Sequence, residues 1–138
     1  MNLVIKLLTA DAKAPTRADP GCAGHDLYAD EARTVPAWDR CLLGTGIAME
    51  LPEGTYGRIA PRSSLSLKRM DIGAGVLDSS YRGEIKVLMI NSSSDDVQIS
   101  KGDKIAQLIV ETCHYPNVCI GELSHTTRGE NGFGSTGS

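Results

Sequence analysis

The chain has 138 residues, a formal net charge of −3 and only 4% aromatic residues. That length fits one domain, which would bury roughly two-thirds of its unfolded surface around a mainly aliphatic core. The negative charge, without a basic run, argues against DNA or RNA as the main partner. A small anion held by a few local cations is compatible with this composition.

The four cysteines lack the paired spacing of a zinc site, and no secretory leader is recognisable, so we expect reduced thiols. Residues 1–8 are largely apolar but too short to span a membrane. We therefore expect a soluble intracellular protein, cytoplasmic or nuclear, with no membrane partner.

Short apolar or alternating runs recur between turn signals, and none keeps helical spacing over ten residues. This pattern predicts an all-β sandwich or barrel with at most one short helix. Apolar residues nearly vanish from about residue 124, so we expect a domain over residues 1–123 and a flexible C-terminal tail over residues 124–138. In chain order, the predicted strands are residues 3–8, 24–29, 41–51, 56–60, 71–77, 84–91, 97–99, 104–110 and 118–122, and the predicted helix is residues 63–69.

The segment DIGAGVLD, residues 71–78, contains two glycines within a strand-like run. Gly73 and Gly75 leave bare backbone, and together with Val76 they could form a slot that pairs with the polar edge of a pyrimidine. The alternative is a β-bulge that merely bends the strand.

Asp78 ends this run, where rigid backbone would hold a carboxylate beside the slot. A carboxylate in that position could act as a general base toward water, or it could cap its own turn. Tyr81 could lay its ring against a sugar and leave no space for a 2′-hydroxyl, although a tyrosine at a sheet edge would look the same.

The sequence PRSSL places Arg62, Ser63 and Ser64 between a predicted strand and the predicted helix. A guanidinium group, hydroxyls and free N–H groups attract phosphate, and an ordinary serine N-cap explains the pattern equally well. Asp26 in AGHDL and Gln107 in GDKIAQL are weaker signals. Asp26 could hold metal-bound water, and Gln107 could donate to a phosphate oxygen.

The C-terminal sequence RGENGFGSTGS carries the only phenylalanine of the chain among four glycines. One ring beside a cation and hydroxyls is typical of a clamp that stacks on a flat base and holds an anion. A disordered end with a stray aromatic residue is the alternative. The candidate clamp residues are Arg128, Phe133, Gly134, Ser135 and Thr136.

Taken in order, five segments resemble the five motifs of the trimeric deoxyuridine triphosphate nucleotidohydrolases (dUTPases). The similarity runs from about residue 22 to the C-terminus, and five ordered motifs are far more specific than one. The segments are residues 23–27, 61–65, 75–84, 102–108 and 128–136.

This resemblance implies a jelly-roll homotrimer in which three subunits build each site. It also implies hydrolysis of dUTP to dUMP and pyrophosphate with Mg²⁺ across the phosphates, which keeps uracil out of DNA and supplies dUMP for thymidylate synthesis. On this model Asp78 activates the water that attacks the α-phosphorus, Tyr81 packs under the deoxyribose and Asp26 supports metal-bound water.

The resemblance also implies how the rest of the substrate is held. The backbone from Gly73 through Gly75 to Val76 would read uracil, and Phe133 would close over it. The phosphates would be held by Arg62, Ser63, Ser64 and Gln107, with Arg128, Ser135 and Thr136 on the γ-phosphate.

Five positions depart from the usual family pattern: His25, Ser64, Ser80, Lys104 and Asn131. Ser64 adds a hydroxyl near the phosphates, and Ser80 removes a negative charge beside the expected base. Two other functions stay open. One is a dCTP deaminase on the same fold, for which no suitable catalytic Glu is seen, and the other is a catalytically silent nucleotide-binding module, which would need no base.

Overall fold

The computed structural model of the chain describes residues 1–134. Within them the chain forms eleven β-strands and one short helix, so the prediction of an all-β, jelly-roll-like fold is confirmed. The elements are β1 (Val4–Leu7), β2 (His25–Tyr28), β3 (Arg33–Val35), β4 (Arg40–Gly44), β5 (Ile47–Glu50), β6 (Thr55–Ala60), α1 (Ser63–Ser66), β7 (Met70–Gly73), β8 (Val76–Leu77), β9 (Lys86–Asn91), β10 (Val97–Ile99) and β11 (Lys104–Thr112).

The strands form two main antiparallel sheets, one ordered β2-β11-β6-β8 and the other β4-β9-β7. Two antiparallel pairs, β1-β5 and β3-β10, complete the fold. A single cluster of buried aliphatic side chains joins these sheets. Its largest fully buried members are Leu27, Leu43, Ile47, Ile85, Met89, Ile105 and Leu108.

Side-chain alternation in β4 and β9 fixes which residues face outward near the site. Successive Cβ atoms in a strand point to opposite faces of the sheet. In β4, Cys41 and Leu43 are buried, whereas Leu42 is 48% exposed. In β9, Val87 is buried and Lys86 is exposed. Leu42 and Lys86 are therefore available on the outer surface of this sheet.

Three strand predictions need correction. The predicted strand over residues 71–77 is split into β7 and β8, because Ala74 between them has a left-handed φ of 49°. The predicted strand over residues 41–51 is split into β4 and β5, because Gly46 adopts a left-handed φ of 71° that breaks the extended run. The predicted strand over residues 118–122 is absent. Val118 and Ile120 alternate as in a strand, but both are fully exposed, and no strand among residues 1–134 pairs with them.

Two further elements differ from prediction. The helix is shorter than residues 63–69, since it ends at Ser66 and Arg69 has a positive φ of 65°. Strand β3 was not predicted, because its three residues, Arg33–Val35, are too few to show alternation. Among residues 1–134, no helix is long and apolar enough to cross a membrane.

Candidate active site

The chain passes from one main sheet to the other between β7 and β8. Strand β7 pairs with β9, whereas β8 pairs with β6. Ala74 lies at this change and has a left-handed φ of 49°. At Gly75 the backbone approaches β6 so closely that a Cβ atom would lie 2.5 Å from the carbonyl oxygen of Ile59. The N–H of Ile59 donates to the carbonyl oxygen of Gly75 at 2.7 Å. The missing side chain at Gly75 therefore permits backbone packing at the crossing.

We expect Gly75→Ala to destabilise the fold, because its methyl group would push β6 and β8 apart. Overpacking of this kind lowers the free energy of unfolding by about 1–3 kcal/mol, which denaturant unfolding monitored by circular dichroism would measure. Gly121→Ala is the matched control, since no atom lies within 4 Å of a Cβ atom built there. Equal stability of the two variants would contradict the close packing.

A cavity of about 340 Å³ opens beside this crossing. Its size falls within the range of small-ligand pockets, and its walls combine apolar side chains with polar and charged ones. Of the predicted site residues, Val76, Asp78 and Tyr81 line it, whereas Gly73 and Gly75 do not. The other lining residues are Leu42, Ile59, Ala74, Leu77, Glu84, Ile85 and Lys86.

Asp78 and Tyr81 lie on one turn that lines this cavity, which is called the base cavity from here on. Asp78 is exposed, and its carboxylate makes no hydrogen bond or ion pair within residues 1–134. The N–H of Tyr81 donates to the carbonyl oxygen of Asp78 at 3.1 Å, and the Tyr81 hydroxyl donates to the carbonyl oxygen of Glu84 at 2.8 Å. The ring folds back over Gly83, where a Cβ atom would lie 2.5 Å from the Tyr81 hydroxyl oxygen. The turn thus presents a free carboxylate beside an anchored ring.

A second surface, here called the cation surface, lies around α1 and the start of β11. Its groove of about 450 Å³ is lined by Arg62, Ser64, Lys68 and Lys104 together with Leu65, Met70, Val97, Gln98, Ile99, Gly102 and Asp103. Three cationic side chains in one groove favour an anionic ligand.

Asp26 lies between two of these cations. One carboxylate oxygen lies 3.4 Å from Arg62 Nε and the other lies 3.4 Å from Lys104 Nζ. Asp26 is therefore ion-paired in this structure. No group of three or more His, Cys, Asp or Glu side chains within residues 1–134 is arranged to hold a metal ion.

The remaining phosphate candidates lie next to Arg62. Ser63 and Ser64 begin α1, but Arg62 occupies the N-cap and no side chain caps the helix. Both serine hydroxyls are exposed and make no hydrogen bond within residues 1–134. Gln107 donates from Nε2 to the carbonyl oxygen of Pro61 at 3.0 Å, which links β11 to this loop.

His25, one of the departures from the family pattern, lies next to Asp26 on β2. Its Nδ1 atom is the one buried side-chain nitrogen or oxygen in the described part of the chain without a hydrogen-bond partner. Burial lowers the pKa of His25, and the nearby Arg17 lowers it further. The adjacent Asp26 carboxylate acts in the opposite direction and raises the pKa of His25, but the net direction is downward.

The base cavity and the cation surface are separate on one chain. Strand β8 runs antiparallel to β6 with Leu77 opposite Gly57, so Asp78 lies beside the start of β6. Arg62 follows the end of β6 at Ala60. Tyr56, the next position in this register, lies opposite Asp78, and the strand from Tyr56 to Ala60 spans about 13 Å at about 3.3 Å per residue. The two groups therefore lie toward opposite ends of β6 and line different pockets.

The C-terminal segment after β11, residues 113–134, forms no helix or strand and lies on the surface. Arg128 donates from Nε to the carbonyl oxygen of Asn131 at 2.8 Å, and Phe133 is fully exposed. Neither Phe133 nor Gly134 lines the base cavity or the cation surface. The predicted clamp residues Ser135 and Thr136 lie outside the described residues.

Several lining residues were missed by sequence reasoning. Leu42 and Lys86 enter the base cavity because β4 and β9 are neighbours, and that pairing has no local signal in the sequence. Lys68 enters the cation surface just after α1. A cation shortly after PRSSL is a local signal of this surface in the sequence.

Comparisons with known proteins agree on one family. The family model described as dUTPase matches residues 10–137. The deoxyuridine 5′-triphosphate nucleotidohydrolase of Yarrowia lipolytica is 47% identical over 99% of this chain and 90% of its own length. The enzyme of the same name from Vaccinia virus is 50% identical over 94% of this chain and 88% of its own length.

Solved structures show the same fold. The dUTPase of Staphylococcus bacteriophage 80alpha, solved with dUPNHPP, aligns with a TM-score of 0.92 at 27% identity and covers 99% of both chains. The all-β fold and the relatives place this chain among the enzymes that hydrolyse nucleoside triphosphates. It belongs to the dUTPase family and is a dUTP diphosphatase.

Proposed function

We propose that the chain cleaves dUTP to dUMP and pyrophosphate with Asp78 as the general base. The observation that supports this role is the unpaired, exposed carboxylate at the mouth of the base cavity. The carboxylate takes a proton from water while the water oxygen bonds to the α-phosphorus. The bond from that phosphorus to the oxygen bridging to the β-phosphorus breaks, and pyrophosphate leaves. The reaction removes dUTP as a source of uracil in DNA and supplies dUMP for thymidylate synthesis.

In this proposal the base cavity binds uracil and deoxyribose. Val76 and the backbone that follows Gly73 and Gly75 border uracil. Polar main-chain groups of this segment are the proposed hydrogen-bond partners of uracil. The Tyr81 ring, held by its hydrogen bond to Glu84, packs against the sugar. A ring fixed in this way has little freedom to make room for a 2′-hydroxyl.

The cation surface binds the phosphates. Arg62, Ser63, Ser64 and Gln107 are the proposed ligands, and Lys104 adds a second charge beside Arg62. Asp26 holds Arg62 and Lys104 side by side through its two oxygens.

Mg²⁺ is the expected cofactor. Mg²⁺ is commonly bound by one or two carboxylates together with substrate phosphates, and Asp26, although ion-paired with Arg62 and Lys104, is a carboxylate at the cation surface where those phosphates are proposed to bind. When bound, Mg²⁺ would neutralise charge on the triphosphate, with Asp26 as its nearest candidate support through water.

The active unit is proposed to be a homotrimer. The placement of Asp78 and Arg62 toward opposite ends of β6, in different pockets, supports a site whose two surfaces come from different copies. Residues 124–138 form the arm that completes a third copy's site. Phe133 would cover uracil, with Gly134 allowing close approach, and Arg128, Ser135 and Thr136 would bind the γ-phosphate. This closure would exclude bulk water.

An assay of pyrophosphate release from dUTP, dTTP, dCTP and UTP in the presence of Mg²⁺ tests base specificity, sugar specificity and reaction type together. We expect release from dUTP alone. Binding of dUTP without release would replace the proposal with a silent nucleotide-binding module. Ammonia release from dCTP in a parallel assay would replace it with a deaminase.

A further inference from the structure

Arg82, which lies next to Tyr81, holds the turn that carries Asp78 and Tyr81. Its Nη1 atom donates to the carbonyl oxygen of Ser79 at 2.7 Å and to that of Tyr81 at 3.2 Å. Its Nη2 atom lies 3.0 Å from a carboxylate oxygen of Glu50. One guanidinium group thus binds two carbonyl oxygens of the turn and one side chain of a different strand.

Glu50 gives this contact a fixed anchor. It is the last residue of β5, where its backbone pairs with Val4 of β1. The turn itself has one internal hydrogen bond, from the N–H of Tyr81 to the carbonyl oxygen of Asp78. Without Arg82, the turn would keep that bond, the Tyr81 hydroxyl contact and a hydrogen bond of 3.3 Å between the hydroxyls of Ser79 and Tyr115.

The guanidinium group lies away from the substrate surfaces. Asp78 and Tyr81 line the base cavity, whereas Ser79 and Arg82 line a separate groove with Glu50 and Tyr115. The Arg82 side chain is 55% exposed and that of Glu50 is 59% exposed. Exposed ion pairs contribute little to global stability, so these contacts are better explained by local geometry than by the stability of the fold.

We infer that Arg82 is a positioning residue for the reaction. By fixing the carbonyl groups of Ser79 and Tyr81 against Glu50, it sets where the Asp78 carboxylate and the Tyr81 ring stand relative to the base cavity. Arg82 therefore controls both turnover and the discrimination of deoxyribose from ribose. This inference rests on the function proposed above, because it assigns those two roles to Asp78 and Tyr81.

Arg82→Ala tests the inference through steady-state kinetics with dUTP and UTP. Because small misplacement of a catalytic group can cost about 100-fold in rate, we expect kcat for dUTP to fall by roughly 10- to 100-fold, with KM changed by less than about 3-fold. The ratio of kcat/KM for dUTP over UTP should fall as well. Glu50→Gln, which removes the anchor charge, should show a weaker form of both effects.

Chemical rescue separates positioning from a merely structural role. Added guanidinium ion, at a concentration too low to unfold the protein, should restore part of kcat and of the dUTP preference in Arg82→Ala, whereas equal NaCl should not. Arg33→Ala is the matched control, since Arg33 is also exposed and ion-paired, with Glu31 at 3.5 Å, outside both surfaces. Its kinetics should equal those of the wild type.

Three results would overturn the inference. One is a folded Arg82→Ala variant with wild-type kcat and sugar preference. Another is lost activity that accompanies a large fall in melting temperature and is not rescued. The third is a rise in KM alone, equal for dUTP and UTP, which would make Arg82 a phosphate ligand. Failure of the wild type to release pyrophosphate from dUTP would instead contradict the proposed function.

Discussion

The Asp78→Asn variant is expected to bind nucleotide with an affinity within a few-fold of that of the wild type and to lose nearly all turnover. Asparagine keeps the size of the side chain but cannot take a proton from water. A positioned general base contributes about 10²- to 10⁴-fold to the rate, so kcat should fall by that factor. Pyrophosphate release measures the loss, and titration with dUPNHPP measures the affinity.

Asp71→Asn is the control for this variant. Asp71 lies on β7 in the same segment, and its Oδ1 atom accepts only a local hydrogen bond, from the N–H of Ile72 at 2.8 Å. It lines neither the base cavity nor the cation surface, so its kinetics should match the wild type. Full activity of Asp78→Asn would remove Asp78 as the base, and equal losses in both variants would point to a general effect of lost charge.

The strands of the fold were largely predictable because their signal is local. In β9, buried side chains alternate with more exposed ones, and this pattern is a property of consecutive residues. The change of sheet at Ala74 was not predictable, because it depends on β7 and β8 having different partners. The sequence likewise indicated bare backbone at Gly75. It did not indicate that the carbonyl oxygen of Ile59 lies where a Cβ atom of residue 75 would be.

In the candidate site, too, the residue types could be predicted from the sequence, whereas the contacts between them could not. Residue types alone were enough to single out Asp26 and Arg62 as polar candidates. Their ion pair depends on β2 lying beside β11 and β11 beside β6, with Gln107 opposite both Asp26 and Ala60. Local sequence has no information on such register. A sequence can therefore identify chemical groups whose partners only the fold determines.

The segment around Val118 and Ile120 is the most instructive error. Its alternation is strand-like, yet a strand needs a ladder of hydrogen bonds with a neighbour, and no neighbour is present within residues 1–134. Fully exposed aliphatic side chains in this pattern are typical of a surface that another chain covers. The error thus supports the proposal that the arm belongs to an assembly of several copies.

Deletion of residues 128–138 should leave the proposed trimer folded but poor at hydrolysing dUTP. The hydrogen bonds of Arg128, Gly129 and Asn131 are made within the arm, so their loss should not change the melting temperature. Without the arm, uracil lacks its proposed cover and the γ-phosphate lacks Arg128. We expect kcat/KM to fall on the order of 100-fold, a size typical of lost substrate positioning.

Phe133→Ala and Phe133→Tyr separate the ring from the rest of the arm. Stacking of an aromatic side chain on a base is worth about 1–3 kcal/mol, which corresponds to roughly 5- to 150-fold in kcat/KM. Phe133→Ala should lose that factor, whereas Phe133→Tyr keeps a ring and should retain most activity.

Sedimentation and thermal melting of each variant check the assembly. Unfolding of the truncated chain would assign the arm to the core of the fold, and full activity of Phe133→Ala would remove the ring from the site. Because Phe133 is fully exposed in the single chain, a kinetic loss without a stability loss would show that its contact forms only in the closed complex.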